Sequence, residues 1–110
     1  MGVRHACISP GARNSPLTYI FTEKSEITCF SQVDERSCSF FGLGLAKSTQ
    51  NPVVLISTSG TAPANFYPAV IEASLSRVPL IILSADRPDY LIGTGANQTI
   101  DQENLYGNHV

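Results

Sequence analysis

A chain of 110 residues is the size of one domain, and 43% hydrophobic with 15% charged residues is the composition of an ordinary globular one. A net charge of −2 gives no electrostatic footprint for nucleic acid or an anionic membrane surface, and no apolar run nears the roughly 20 residues that membrane insertion of a helix requires. Three cysteines without a CxxC pair, and only His5 and His109 to join them, argue against a zinc site or a disulfide framework.

Cys7, Cys29 and Cys38 therefore read as reduced thiols of a cytoplasmic protein. The amino terminus lacks the basic-then-apolar layout of a signal peptide. Both ends look cut, and the expectation is a piece of a longer chain.

In chain order, His5–Ser9 reads as a first buried strand. A helix follows, with Asn14 or Ser15 as N-cap and Pro16 in its first turn, running to about Glu23. Ile27–Val33 reads as a second strand, leading into a helix from about Arg36 to Ser48 capped by Asp34 or Glu35. Gly42 and Gly44 inside that helix cost roughly 1 kcal/mol each relative to Ala, which points to close packing against another helix or subunit. Val53–Ser57 and Leu80–Ser84 are continuous apolar runs, as in parallel strands covered on both faces.

Between those runs a helix is expected from near Thr61 to Arg77, kinked by Pro68. Past Pro88, Gly93–Gln98 reads as a loop and Gln102–Tyr106 as at most a short helix. Alternation of strand and helix predicts an α/β fold: a doubly wound, mostly parallel sheet with helices on both faces and right-handed crossovers.

The carboxyl ends of parallel strands form the edge where open α/β sheets bind ligands, and here each end carries chemistry. After the first strand, Gly11 lets a backbone come close and Arg13 offers a planar fork suited to carboxylate or phosphate. A plain βα turn with a solvated arginine accounts for the same residues equally well. After the second, Asp34 suffices as a cap, which leaves Glu35 without a structural task. Apolar neighbours in a crevice favour the protonated form of such a carboxyl, which suits a proton donor or relay.

After the third strand, Ser57-Thr-Ser-Gly-Thr61, leading to Asn65, offers a cradle for an anion or flat ring, although N-capping by Thr61 explains it at least as readily. It is neither a P-loop nor a nucleophile elbow. After the fourth, either Asp86 and Arg87 pair at the surface, or Arg87 faces the same crevice as Arg13. Two guanidinium groups on one rim call for a substrate with two or more carboxylates, and Asn97 and Gln98 would add neutral donors.

Six segments in series, Ser9-Pro-Gly-Ala-Arg-Asn-Ser-Pro-Leu17, Val33-Asp-Glu-Arg36, Thr58-Ser-Gly-Thr-Ala-x-Ala-Asn65, Tyr67-Pro-Ala-x-Ile-Glu-Ala73, Ala85-Asp-Arg-Pro88 and Gly95-Ala-Asn-Gln98, resemble the amino-terminal, pyrimidine-binding domain of thiamine-diphosphate-dependent enzymes. Within that superfamily the chain is similar to the transferases of menaquinone (or phylloquinone) biosynthesis that decarboxylate 2-oxoglutarate and add the succinyl-semialdehyde unit to isochorismate. The resemblance covers nearly the whole chain. Ala12 departs from it, standing where many relatives have serine.

The resemblance implies that residues 1–110 are a partial domain, inactive alone. It implies that Glu35 is catalytic, holding a proton at N1′ of the cofactor's aminopyrimidine, and that Pro10, Thr58 and Asn65 also bind thiamine diphosphate. Arg13, Arg87, Asn97 and Gln98 match positions around the carboxylate-bearing substrates, and none of these residues is a metal ligand. Mg²⁺ (or Mn²⁺) would be bound mainly by a carboxyl-terminal domain, in a homodimer or homotetramer. The rivals are an acetolactate synthase or 2-oxoacid decarboxylase, and a non-catalytic flavodoxin-like nucleotide-binding module whose best support is Gly93–Gln98.

Overall fold

The computed structural model describes residues 2–110. Its strands are β1 (His5–Ile8), β2 (Thr28–Ser31), β3 (Val53–Ser57) and β4 (Leu80–Ser84), and its helices are α1 (Ser15–Thr22), α2 (Glu35–Thr49), α3 (Thr61–Ala64) and α4 (Tyr67–Leu75). All strand pairings are parallel, in the order β2-β1-β3-β4. From β1 the chain moves outward to β2, then returns past β1 to β3 and β4, which is double winding.

Burial follows from that order. β3 is buried at every residue because it lies between β1 and β4 with both faces covered. Val53, Leu55 and Cys7 point to one side, against Cys38 and Ala46 of α2 and Phe66 and Val70 at α4. Val54, Ile56, Ala6 and Ile8 point to the other, against Leu17 and Phe21 of α1. At roughly 25 cal/mol per Å² of apolar surface, this central pair of strands and its two coverings supply most of the driving force. The expected sheet with helices on both faces is what forms.

Several local expectations are corrected. β2 and β4 are edge strands, so the apolar runs that read as fully buried are half-buried instead. β2 is also shorter than the Ile27–Val33 run, since its register on β1 covers only Thr28–Ser31. The helix expected from Thr61 to Arg77 is two helices, because Pro68 has no N–H to give a preceding carbonyl and stands instead in the first turn of α4. Thr61 is inside α3 rather than its cap, that place being taken by Gly60. No helix forms at Gln102–Tyr106; the last regular element is a 3₁₀ turn at Gly107–His109.

Gly42 packs on the sheet and not on another helix: a Cβ there would lie 2.5 Å from Leu55 Cδ2. A Cβ on Gly44 would meet nothing within 4 Å. The strand order is also the one in which flavodoxin-like sheets begin, so topology alone does not separate the rival architectures.

Candidate functional site

The connections diverge between β1 and β3, so the crevice lies where those two strands end. There the turn at Gly11 closes onto Thr58, and a Cβ on Gly11 would stand 2.6 Å from Thr58 Cβ. Thr58 is buried and its Oγ1 has no hydrogen-bond partner. Such an orphan is unusual, since buried polar atoms are nearly always satisfied. Asn14, fully buried at the head of α1, donates from Nδ2 to the Ser9 carbonyl at 2.9 Å rather than capping its helix, and its Oδ1 is also unpartnered.

The loop after β4 crosses this crest and joins the two arginines. Arg13 Nη1 donates to the Gln98 side-chain carbonyl. Arg87 Nη1 donates to the neighbouring Asn97 backbone carbonyl at 3.1 Å. Ser59 Oγ fastens the same loop by donating to the Gln98 carbonyl oxygen at 2.7 Å. Arg13, Ser59, Arg87, Asn97 and Gln98 are thus brought together along one rim.

The surface pairing of Arg87 with Asp86 does not form. Asp86 Oδ1 accepts instead from the Arg87 backbone N–H at 2.7 Å. Among the described residues the one ion pair is Lys47 with Glu72, 3.4 Å apart, so both rim guanidinium groups are without a carboxylate. Two such planar cations present an anion-seeking edge.

Glu35 occupies the first turn of α2. Asp34 is the cap, accepting from Ser37 N–H at 2.7 Å, and that bond holds the Asp34 carboxyl below its usual range. Glu35 is thereby released from capping. It is half-buried and without an ion pair among the described residues. The apolar enclosure expected around it is not formed by the described residues: Val33, beside it, is 87% exposed.

Glu35 follows β2 and Arg87 follows β4, so they stand toward opposite ends of the same strand-end edge, and no hydrogen bond joins Glu35 to the arginine cluster. Asn65 is exposed at the end of α3, with Nδ2 donating to the Thr61 carbonyl at 3.0 Å. Pro10 is exposed and borders a shallow groove of about 300 Å³ with Gly11, Ser15, Thr18 and Tyr19. A larger cavity of about 540 Å³ lies between α4 and β4, lined by Val70, Leu80, Ile82, Ser84, Tyr106 and His109. Its walls are mostly aliphatic, with Ser74, Ser84, Tyr106 and His109 as the polar groups.

One residue of the rim was not foreseeable from sequence. Gln102 accepts from Gly60 N–H through Oε1 at 2.9 Å and donates through Nε2 to the Ala85 carbonyl at 3.1 Å. Nothing in its local pattern distinguishes it from an ordinary polar loop residue. No group of three or more His, Cys, Asp or Glu side chains that could hold a metal ion occurs among the described residues, and no helix there is long and apolar enough to cross a membrane.

Comparison with known proteins identifies a family for the chain. The family described as "Thiamine pyrophosphate enzyme, N-terminal TPP binding domain" matches residues 1–105. A protein of Lysinibacillus sphaericus is 56% identical over 110 residues, all of this chain and 19% of the relative. One of Haloarcula marismortui is 58% identical over 109 residues, 99% of this chain and 18% of the relative. One of Dechloromonas aromatica is 56% identical over 108 residues, 98% of this chain and 20% of the relative. Each bears the name 2-succinyl-5-enolpyruvyl-6-hydroxy-3-cyclohexene-1-carboxylate synthase. The chain spans about a fifth of the length of these curated relatives. With a family match over almost every residue, and a parallel α/β sheet consistent with it, the chain belongs to the thiamine pyrophosphate enzymes, as their N-terminal TPP binding domain.

Proposed function

We propose that this chain is the pyrimidine-binding part of a thiamine-diphosphate-dependent 2-succinyl-5-enolpyruvyl-6-hydroxy-3-cyclohexene-1-carboxylate synthase, a cytoplasmic transferase of menaquinone biosynthesis that uses 2-oxoglutarate and isochorismate. The observation that carries the reading is the joining of Arg13 and Arg87 to the adjacent residues Gln98 and Asn97, with no carboxylate among the described residues neutralising either. Both proposed substrates bear two carboxylates, the charge pattern that a pair of guanidinium groups on one rim selects.

The residues fit the aminopyrimidine half of the cofactor. Thr58 Oγ1 is a buried polar atom lacking a partner, next to a turn that Gly11 keeps narrow. Glu35, freed by Asp34 from capping, can share a proton with a ring nitrogen at the crest. Thiamine diphosphate, when bound, supplies the carbon nucleophile that such protonation helps to generate. Glu35 then holds the proton, while Arg13 and Arg87 orient the substrate carboxylates. Pro10 and Asn65 flank the crevice as further cofactor contacts. The diphosphate and Mg²⁺ (or Mn²⁺) are assigned to a carboxyl-terminal domain, and the whole enzyme to a homodimer or homotetramer.

The test is the Arg87→Ala variant of the full-length enzyme, assayed with isochorismate and titrated with thiamine diphosphate. Loss of isochorismate use with cofactor affinity retained is the expected result. Unaltered use of isochorismate, or a saturable conversion of pyruvate to acetolactate by the unmodified enzyme, would replace this reading with that of another thiamine enzyme.

A further inference from the structure

Among the described residues, Gln102 is the one side chain of the loop carrying Asn97 and Gln98 that hydrogen-bonds the turns after both β3 and β4. Its Oε1 accepts from the N–H of Gly60, a buried residue, and its Nε2 donates to the Ala85 carbonyl, with Ser84 Oγ at 3.4 Å as a second acceptor. The orientation of the amide is fixed by its partners. Turned over, it would set a donor against the Gly60 N–H and an acceptor against the Ala85 carbonyl.

The two turns held in this way are those that carry the rim. Gly60 lies against the backbone of Gln98, which receives Arg13 and Ser59. Ala85 opens the segment that presents Arg87, whose guanidinium reaches Asn97. The spacing of the two guanidinium groups therefore depends on where the loop sits; Ser59 fastens the loop to the turn after β3, and the Gln102 amide ties it to the turns after both β3 and β4. We infer that Gln102 is a positioning residue for the anion-binding rim, setting the separation of Arg13 and Arg87 and so the preference for substrates with two carboxylates. The inference rests on the function proposed above.

The test uses the full-length enzyme and Gln102→Met, which keeps the length of the side chain and removes both hydrogen bonds. The KM for isochorismate should rise about tenfold, as expected for the loss of two neutral hydrogen bonds. kcat and the affinity for thiamine diphosphate should stay near those of the unmodified enzyme. In a Gln98→Ala background the same change should raise KM by less than about threefold, because the side chain that ties Arg13 to the loop, and through which Gln102 would set its place, is already gone. An unchanged KM, or an equal effect in both backgrounds, overturns the inference.

Gln102→Glu retains the acceptor for Gly60 and loses the donor to Ala85, so it answers the question if the methionine variant does not fold; it should raise KM at least as much. Arg13→Ala and Arg87→Ala, assayed alongside, separate the two levels. If they raise the KM for isochorismate and Gln102→Met does not, only the role of Gln102 fails. If they leave it unchanged, the anion-binding rim fails and the inference falls with it.

Discussion

Gly60 is in contact with the main chain of Gln98: a Cβ on Gly60 would lie 2.7 Å from Gln98 Cα and 2.8 Å from its carbonyl carbon. Its dihedrals, φ 85° and ψ −132°, are ones that side-chain-bearing residues rarely adopt. Gly60→Ala therefore brings strain of about 1–3 kcal/mol and drives the loop off the rim. The expected outcome is a lower urea midpoint together with weakened binding of the substrate carboxylates. A variant with native midpoint and native KM would show that the close approach is dispensable.

Replacing Glu35 by Gln tests the proton-holding role without disturbing the helix, since Asp34 makes the cap. Turnover should fall by roughly 10² to 10⁴, the usual contribution of a positioned acid or base. Circular dichroism should show the helix content and melting temperature retained. Full turnover in this variant would leave Glu35 with no role in the chemistry.

The two glycines of α2 should respond in opposite directions. Gly42→Ala places a methyl group 2.5 Å from Leu55 Cδ2 in a fully buried setting. Overpacking of about 1–3 kcal/mol then outweighs the helix-propensity gain of about 1 kcal/mol. Gly44→Ala meets nothing within 4 Å, so it should raise stability by up to about 1 kcal/mol. Urea unfolding of both variants decides the matter, and sedimentation of Gly44→Ala in the full-length enzyme shows whether a second subunit covers that face.

Alkaline stability should depend on Tyr106. Burial pushes its phenol up to about 12 from an ordinary 10.0, and its hydroxyl donates to the Pro63 carbonyl at 2.8 Å. The neutral form is favoured by folding, so the contribution is fully present below pH 10 and is lost as pH rises from 10 towards 12. Burial also raises Cys7 from 9.0 to about 12, which acts in the same direction over a window opening lower. Tyr106→Phe should cost about 1 kcal/mol at pH 8 through the lost hydrogen bond, with a shallower decline of the urea midpoint above pH 10. An unaltered slope between pH 10 and 12 would assign the alkaline transition to other groups.

Sequence and structure agree best where one physical signal dominates. The runs Val53–Ser57 and Leu80–Ser84 matched β3 and β4 end to end, because each is a continuous apolar run that starts just after a proline and ends on a serine. β2 came out short because a strand extends only as far as its neighbour, and β1 offers four residues. The burial of each strand depended on sheet order, which periodicity does not encode.

Arg13 and Arg87 were legible as rim residues from their positions just past strand ends. That they share one loop through Gln98 and Asn97 was not, because the loop's course is decided by tertiary contacts such as Ser59 to Gln98. Gln102 was invisible for the same reason: its partners, Gly60 and Ala85, lie far from it in sequence.

α1 contains no fully buried residue, and Tyr19 and Ile20 face solvent, whereas Asn14 at its head is sealed and tied to Ser9. Leu17 and Phe21, both partly buried, are what tie the rest of the helix to the sheet. The amides of α1 should exchange with deuterium well ahead of those in β1 and β3. Arg13, tied to Gln98 ahead of the helix, keeps its place while the helix beyond it opens and closes.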